Sequence, residues 1–150
     1  MCSKVTDSTG PRVDFYLLPG QDPMQRLQFV CRLTEKVFSL GHSVAIRVDE
    51  PRQAQFLDQL LWSFRPGSFI PHRVHPQQPD REEPVVVTSG MAPEGFDQVL
   101  INLGTEVPEG FEGFQRVAEV LDQNDANKLP GRTRYAHYRD AGYPLETHKL

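Results

Sequence analysis

Cysteine is scarce in this chain: two in 150 residues, Cys2 and Cys31. Two thiols make no disulfide framework, and a reducing cytoplasm is the simplest setting for them. Long apolar runs are missing too. No stretch of eighteen apolar residues occurs, so no membrane span is expected. The first residues, Met1 to Pro11, have no apolar core of the kind a secretory signal needs, and residues 1–11 read as a flexible lead-in. A phosphate-cradling loop is missing as well. The loop after the first expected strand, Leu18-Pro19-Gly20-Gln21-Asp22-Pro23-Met24, has one glycine and no Lys-Ser/Thr pair. It also has a proline where an amide would face phosphate, so it is neither a P-loop nor a dinucleotide fingerprint. No Gly-x-Ser-x-Gly elbow exists, and nothing marks two carboxylates as a general acid–base pair. His72 and His75 lie three apart, but Pro71 and Pro76 flank them and no second ligand pair has suitable spacing. No cofactor or metal is therefore expected, and His72 reads as a hydrogen-bonded loop residue. Cys31, inside an apolar helical stripe, reads as a packed small hydrophobe.

What is present is unevenly charged. The net charge is −4. Residues 80–125 carry eleven Asp/Glu against two Arg, whereas residues 128–150 carry five Lys/Arg against two Asp/Glu. A globally acidic protein is a poor non-specific binder of phosphate backbone, but a local basic helix can select an acidic peptide. Lys128, Arg132, Tyr135 and Arg139 follow one another at steps of four, three and four, which places them on one helix face. Cations interleaved with flat amphipathic rings suit an acidic, partly apolar peptide. The plainer alternative is an ordinary solvated helix face.

Along the chain, Val13–Leu18 reads as a buried strand. Asp22-Pro23 opens a helix that Gly41 closes, Ser43 to Val48 is a second strand, and Asp49-Glu50-Pro51 caps a second helix. Strand–helix–strand–helix in some sixty residues argues an α/β fold, a single domain over residues 1–150, with a mostly parallel sheet flanked by helices. Ser68–His72 reads as a short extended segment, and residues 73–83, with two prolines, as a mobile surface loop. Residues 84–88, 99–103 and 116–121 are three further strands, with Phe111 and Phe114 as core plugs before the last. A final helix spans about 123–141, followed by a short tail over 143–150. Trp62, Phe64, Phe69 and Ile70 cluster around the end of the second helix, as a core plug or as an exposed patch for a partner.

These residues together resemble the chi subunit of bacterial DNA polymerase III holoenzyme. The resemblance is carried by Phe15-Tyr16-Leu17-Leu18, Leu61-Trp62, Ser68-Phe69-Ile70-Pro71-His72, Leu100-Ile101-Asn102-Leu103, Arg134-Tyr135 and Tyr138-Arg139-x-Ala141-Gly142, in the right order across nearly the whole chain. It implies a nucleotide-binding-like fold that lacks a phosphate loop, and a non-catalytic accessory of the clamp-loader complex in bacterial DNA replication. It implies two partners: the psi subunit, and the acidic C-terminal tail of single-stranded DNA-binding protein, with DNA met only indirectly. By position, the tail residues are Lys128, Arg132, Tyr135 and Leu145, and the psi-facing residues are Trp62, Phe69, Ile70 and Pro71. Pro130, near the first turns of the final helix, departs from the family's pattern. The competing readings are a degenerate nucleotide-binding or helicase-like enzyme and a direct nucleic-acid binder. The missing phosphate loop argues against the first, and the net charge and the shortage of base-stacking platforms against the second.

Overall fold

The structure, a computed structural model, describes residues 10–76 and 83–150. Apolar β-branched runs alternate with amphipathic segments, and each becomes the expected element. In chain order these are β1 (Arg12–Leu17), α1 (Pro23–Ser39), β2 (Val44–Arg47), α2 (Pro51–Ser63), β3 (His72–His75), β4 (Val85–Thr88), β5 (Val99–Asn102), a 3-10 turn (Phe111–Gly113), β6 (Arg116–Leu121), α3 (Asp125–Asp140) and β7 (Leu145–Lys149). The strands form one sheet in the order β3-β4-β2-β5-β6-β1-β7, and every neighbouring pair is parallel.

Parallel strands covered on both faces bury every side chain, and β4 (Val-Val-Val-Thr) and β5 (Val-Leu-Ile-Asn) do so. Successive residues of one strand serve opposite layers. Val44 and Ile46 of β2 pack with Val30, Cys31 and Val37 of α1 and with Ala54, Leu57 and Leu61 of α2. Ala45 packs instead with Phe111, Phe114 and Tyr138, the last from α3. Helices α1 and α2 therefore cover one face and α3 the other. The neighbouring strands β1 and β6 thus lead into helices on opposite faces, so the chain leaves the C-terminal ends of these two strands in opposite directions.

Each helix is started by its own polar side chains. Asp22 accepts the Met24 N–H at 3.0 Å with Pro23 at the first helical position, and Asn124 accepts the Ala126 N–H at 3.0 Å. At α2, the Gln53 side-chain oxygen accepts the Glu50 N–H at 2.9 Å. Helix α3 runs through Pro130, where the missing N–H leaves the Ala126 carbonyl without its helical donor. Gly131 follows because the helix lies against β6 there: a Cβ would stand 2.4 Å from Leu121 Cδ1.

Three segments differ from the sequence reading. Arg73 to His75, expected in a loop over 73–83, instead continue from His72 as the edge strand β3, paired to β4 and packed against α2. Its pattern His-Arg-Val-His gives no apolar alternation, and only these neighbours bury it. Residues 77–82 of that expected loop lie outside the described residues. Residues 145–149, expected as tail, form β7 beside β1. Of the expected lead-in, residues 1–9 lie outside the described residues and Pro11 is buried.

Candidate functional site

Open α/β sheets form their crevices at the C-terminal ends of strands whose following helices diverge to opposite faces. Here that point lies between β1 and β6, and a pocket of about 530 Å³ opens there beneath α3. Phe15, Leu17 and Leu18 from β1 and its following loop, with Leu121 from β6, supply apolar walls. Lys128, Arg132 and Tyr135 line the pocket from α3, and Thr147, Lys149 and Leu150 line it from the edge strand β7 and the residue after it. The Tyr135 ring meets Phe15 edge-to-face at 5.2 Å. Three of the four residues expected on one helix face are thus brought together. Arg139 is not among them: it is exposed and paired with Asp140. Leu145 packs in the apolar cluster that also contains Tyr135 and does not line the pocket itself.

The aim of α3 is set by a buried polar network. Glu119 of β6 is fully buried. It accepts from Arg134 Nε at 3.0 Å, from Asn102 Nδ2 at 3.0 and 3.2 Å, and from the Tyr138 hydroxyl at 2.8 Å. Arg134 Nη1 also donates to the Thr105 carbonyl at 2.8 Å. Burial, reinforced by the adjacent Glu119 charge, pushes the Tyr138 hydroxyl far above its ordinary range, so it stays protonated and donates. Arg134 and Tyr138 lie one turn apart and point into this network. That rotation leaves Lys128, Arg132 and Tyr135 facing the pocket.

A second network fixes β7. Asp14 is fully buried and accepts from Arg116 Nε at 2.6 Å and from Arg12 Nη2 at 3.0 Å, with His148 Nε2 at 3.1 Å. Burial alone would raise the Asp14 carboxyl, but hydrogen bonds from His148, Arg116 and Arg12 outweigh it and hold the carboxyl below the ordinary range. The His148 ring stacks on Tyr16 at 4.7 Å.

The family model described as DNA polymerase III chi subunit, HolC, matches residues 11–146. The chain belongs to this chi family. A DNA polymerase III subunit chi from Pseudomonas aeruginosa is 41% identical over 139 residues, covering 93% of this chain and 96% of that protein. The Escherichia coli subunit chi is 30% identical over 138 residues, covering 89% and 94%, and the Haemophilus influenzae one 26% identical, covering 91% and 95%. The family thus links the chain to DNA replication as a subunit of a polymerase complex. Among the described residues, no helix is long and apolar enough to cross a membrane.

On this chi-family sheet, the four residues expected at a second partner face divide. Phe69 is 81% and Trp62 49% exposed, and Pro71 is half-buried, but Ile70 is 1% exposed and sits in the core. Trp62 lies over His72, ring centroids 4.2 Å apart. The ring nitrogens of His72 face the carbonyls of Ile70 and Asp58 at 2.6 and 3.0 Å, so the histidine anchors this corner from inside a strand instead of a loop. Asp14, Glu146 and His148 form a grouping with metal-ligand chemistry, their ligand atoms within 4.8 Å of one another. Arg12 and Arg116 already supply the positive charge, so the donor set fits an ion-pair network better than a cation site. The pocket residues that the sequence did not mark as a site include Leu17, Leu18, Leu121, Thr147, Lys149 and Leu150. The strand reading and the apolar pattern flagged the first three only as core. No pattern in Leu-Glu-Thr-His-Lys-Leu flagged Thr147, Lys149 or Leu150.

Proposed function

We propose that this chain is a non-catalytic adaptor of DNA polymerase III. In this reading the pocket under α3 receives the acidic C-terminal tail of single-stranded DNA-binding protein. The observation that carries it is the union, in one pocket, of Lys128 and Arg132 with apolar walls. Neither cation makes an ion pair among the described residues. Unengaged cations beside apolar walls suit a ligand that ends in carboxylates and an aromatic ring: cations receive the carboxylates, and the Tyr135–Phe15 wall receives the ring. A volume near 530 Å³ is ample for a few side chains. The adaptor meets DNA only through that partner, works in the cytoplasm, and needs no cofactor.

The clamp-loader side of the bridge is the corner of Trp62, Phe69 and Pro71, where the psi subunit docks. Two large apolar rings held exposed beside a rigid proline suit a protein partner.

Titration of a labelled tail peptide tests the first contact. Loss of an exposed charge-assisted contact costs up to about 1.5 kcal/mol, so Arg132→Ala and Lys128→Ala should each weaken binding up to about tenfold. Affinity should also fall from low to physiological salt. Equal affinities for all three proteins, independent of salt, would move the tail site elsewhere. For the second contact, Phe69→Ala should abolish co-purification with psi while leaving the melting temperature near that of the parent protein.

A further inference from the structure

We infer that Lys149, on the edge strand β7, is a specificity residue of the α3 pocket: the cation that faces Lys128 and Arg132 from the opposite wall and makes the site a two-sided clamp for an extended acidic segment. This rests on the reading of the pocket as a site for an acidic tail.

Strand β7 pairs with β1 so that Leu145, Thr147 and Lys149 stand beside Val13, Phe15 and Leu17. Val13, Phe15, Leu17 and Leu145 all belong to the apolar layer under α3, so the alternation of a strand turns Thr147 and Lys149 toward that same layer. Glu146 and His148 take the other face, where His148 meets Asp14 and Tyr16. The strand is therefore held from one face and offers its other face to the pocket. Its end is pinned as well: the Leu150 N–H donates to the Leu17 carbonyl at 3.0 Å, next to the Leu17–Lys149 pair. Lys149 lines the pocket, is exposed, and makes no ion pair among the described residues, although the chain is acidic overall.

A helix with two cations a turn apart can hold carboxylates along one side of a ligand only. A third cation on the facing wall can hold carboxylates that project the other way, as successive side chains of an extended peptide do. Selection is then for a run of acidic residues over a single terminal carboxylate.

The test is fluorescence titration of the full chain with two labelled peptides. One ends in three aspartates, an apolar residue, proline and phenylalanine. The other has the aspartates replaced by asparagine. Lys149→Ala should weaken the acidic peptide by about threefold, within what an exposed pair contributes, and Lys149→Glu should weaken it further. Lys149→Arg should restore binding. The salt dependence should be shallower in Lys149→Ala, and this variant should bind the asparagine peptide as the parent does. Wild-type affinity of Lys149→Ala and Lys149→Glu for the acidic peptide, with Arg132→Ala weakened, would overturn the role of Lys149 and leave the pocket assignment standing. An equal loss against the asparagine peptide would also overturn it, since the effect would not be electrostatic. Unchanged binding in Arg132→Ala and Lys128→Ala as well would overturn the pocket assignment itself.

Discussion

Removing the Glu119 carboxylate should be among the most damaging single changes in this protein, and the structure sets the size of the effect. Glu119 is fully buried and receives donors from Arg134, Asn102 and Tyr138. In Glu119→Ala the Arg134 guanidinium, 2% exposed, would stay in the interior without its carboxylate. Deleting one partner of a buried pair costs roughly 3–5 kcal/mol, because the remaining charge is desolvated and uncompensated. With a urea m-value of about 2 kcal/mol/M, the unfolding midpoint should fall by about 1.5–2.5 M. Arg134→Ala should cause a similar loss, by leaving the carboxylate unpaired. The double variant Glu119→Leu with Arg134→Met should lose far less than the two single losses combined, since apolar side chains of similar volume replace a buried pair at little net cost. Arg132→Ala, on the exposed face of the same helix, should change stability by less than about 0.5 kcal/mol and serves as the control. Urea unfolding followed by far-ultraviolet circular dichroism reads all four. A Glu119→Ala loss below about 1 kcal/mol, or strict additivity in the double variant, would refute a coupled, desolvated network as the device that orients α3.

Asp14→Asn should destabilise the protein by about 1–3 kcal/mol at pH 7, through three weakened charge-assisted contacts. Because the folded Asp14 carboxyl lies below its ordinary range, its stabilisation is complete above about pH 4 and is lost as pH falls through the lower folded value. The gap between parent and variant should therefore close toward pH 2. A gap that urea titrations find equal at pH 7 and pH 2.5 would contradict the assignment. Gly131→Ala places a methyl 2.4 Å from Leu121 Cδ1, a crowding that costs roughly 1–3 kcal/mol, partly offset by about 1 kcal/mol of better helix propensity. Leu121 is a pocket wall, so the variant should bind the tail peptide more weakly even where its melting temperature hardly changes; undiminished affinity in the titration would show that this wall does not contact the peptide.

Elements with a local cause are legible in the chain alone. Apolar β-branched runs specified β1, β2, β4, β5 and β6, and the caps Asp22 and Asn124 lie where chain chemistry puts them. The step pattern of Lys128, Arg132 and Tyr135 was readable because a helix turns 100° per residue whatever surrounds it. Whatever depends on neighbours distant in the chain is set by the folded arrangement. His72–His75 and Leu145–Lys149 are strands because β4 and β1 offer them free edges, and neither carries an apolar alternation of its own. Arg134 and Arg132 are the same residue type two positions apart, but one meets Glu119 in the interior and the other lines a pocket, a division fixed by how α3 is rotated against β6. Ile70 and Phe69 are adjacent and equally apolar, yet the first is core and the second is surface. The pocket itself arises where β1 and β6 send their helices to opposite faces, and a topological switch has no signature in either segment alone.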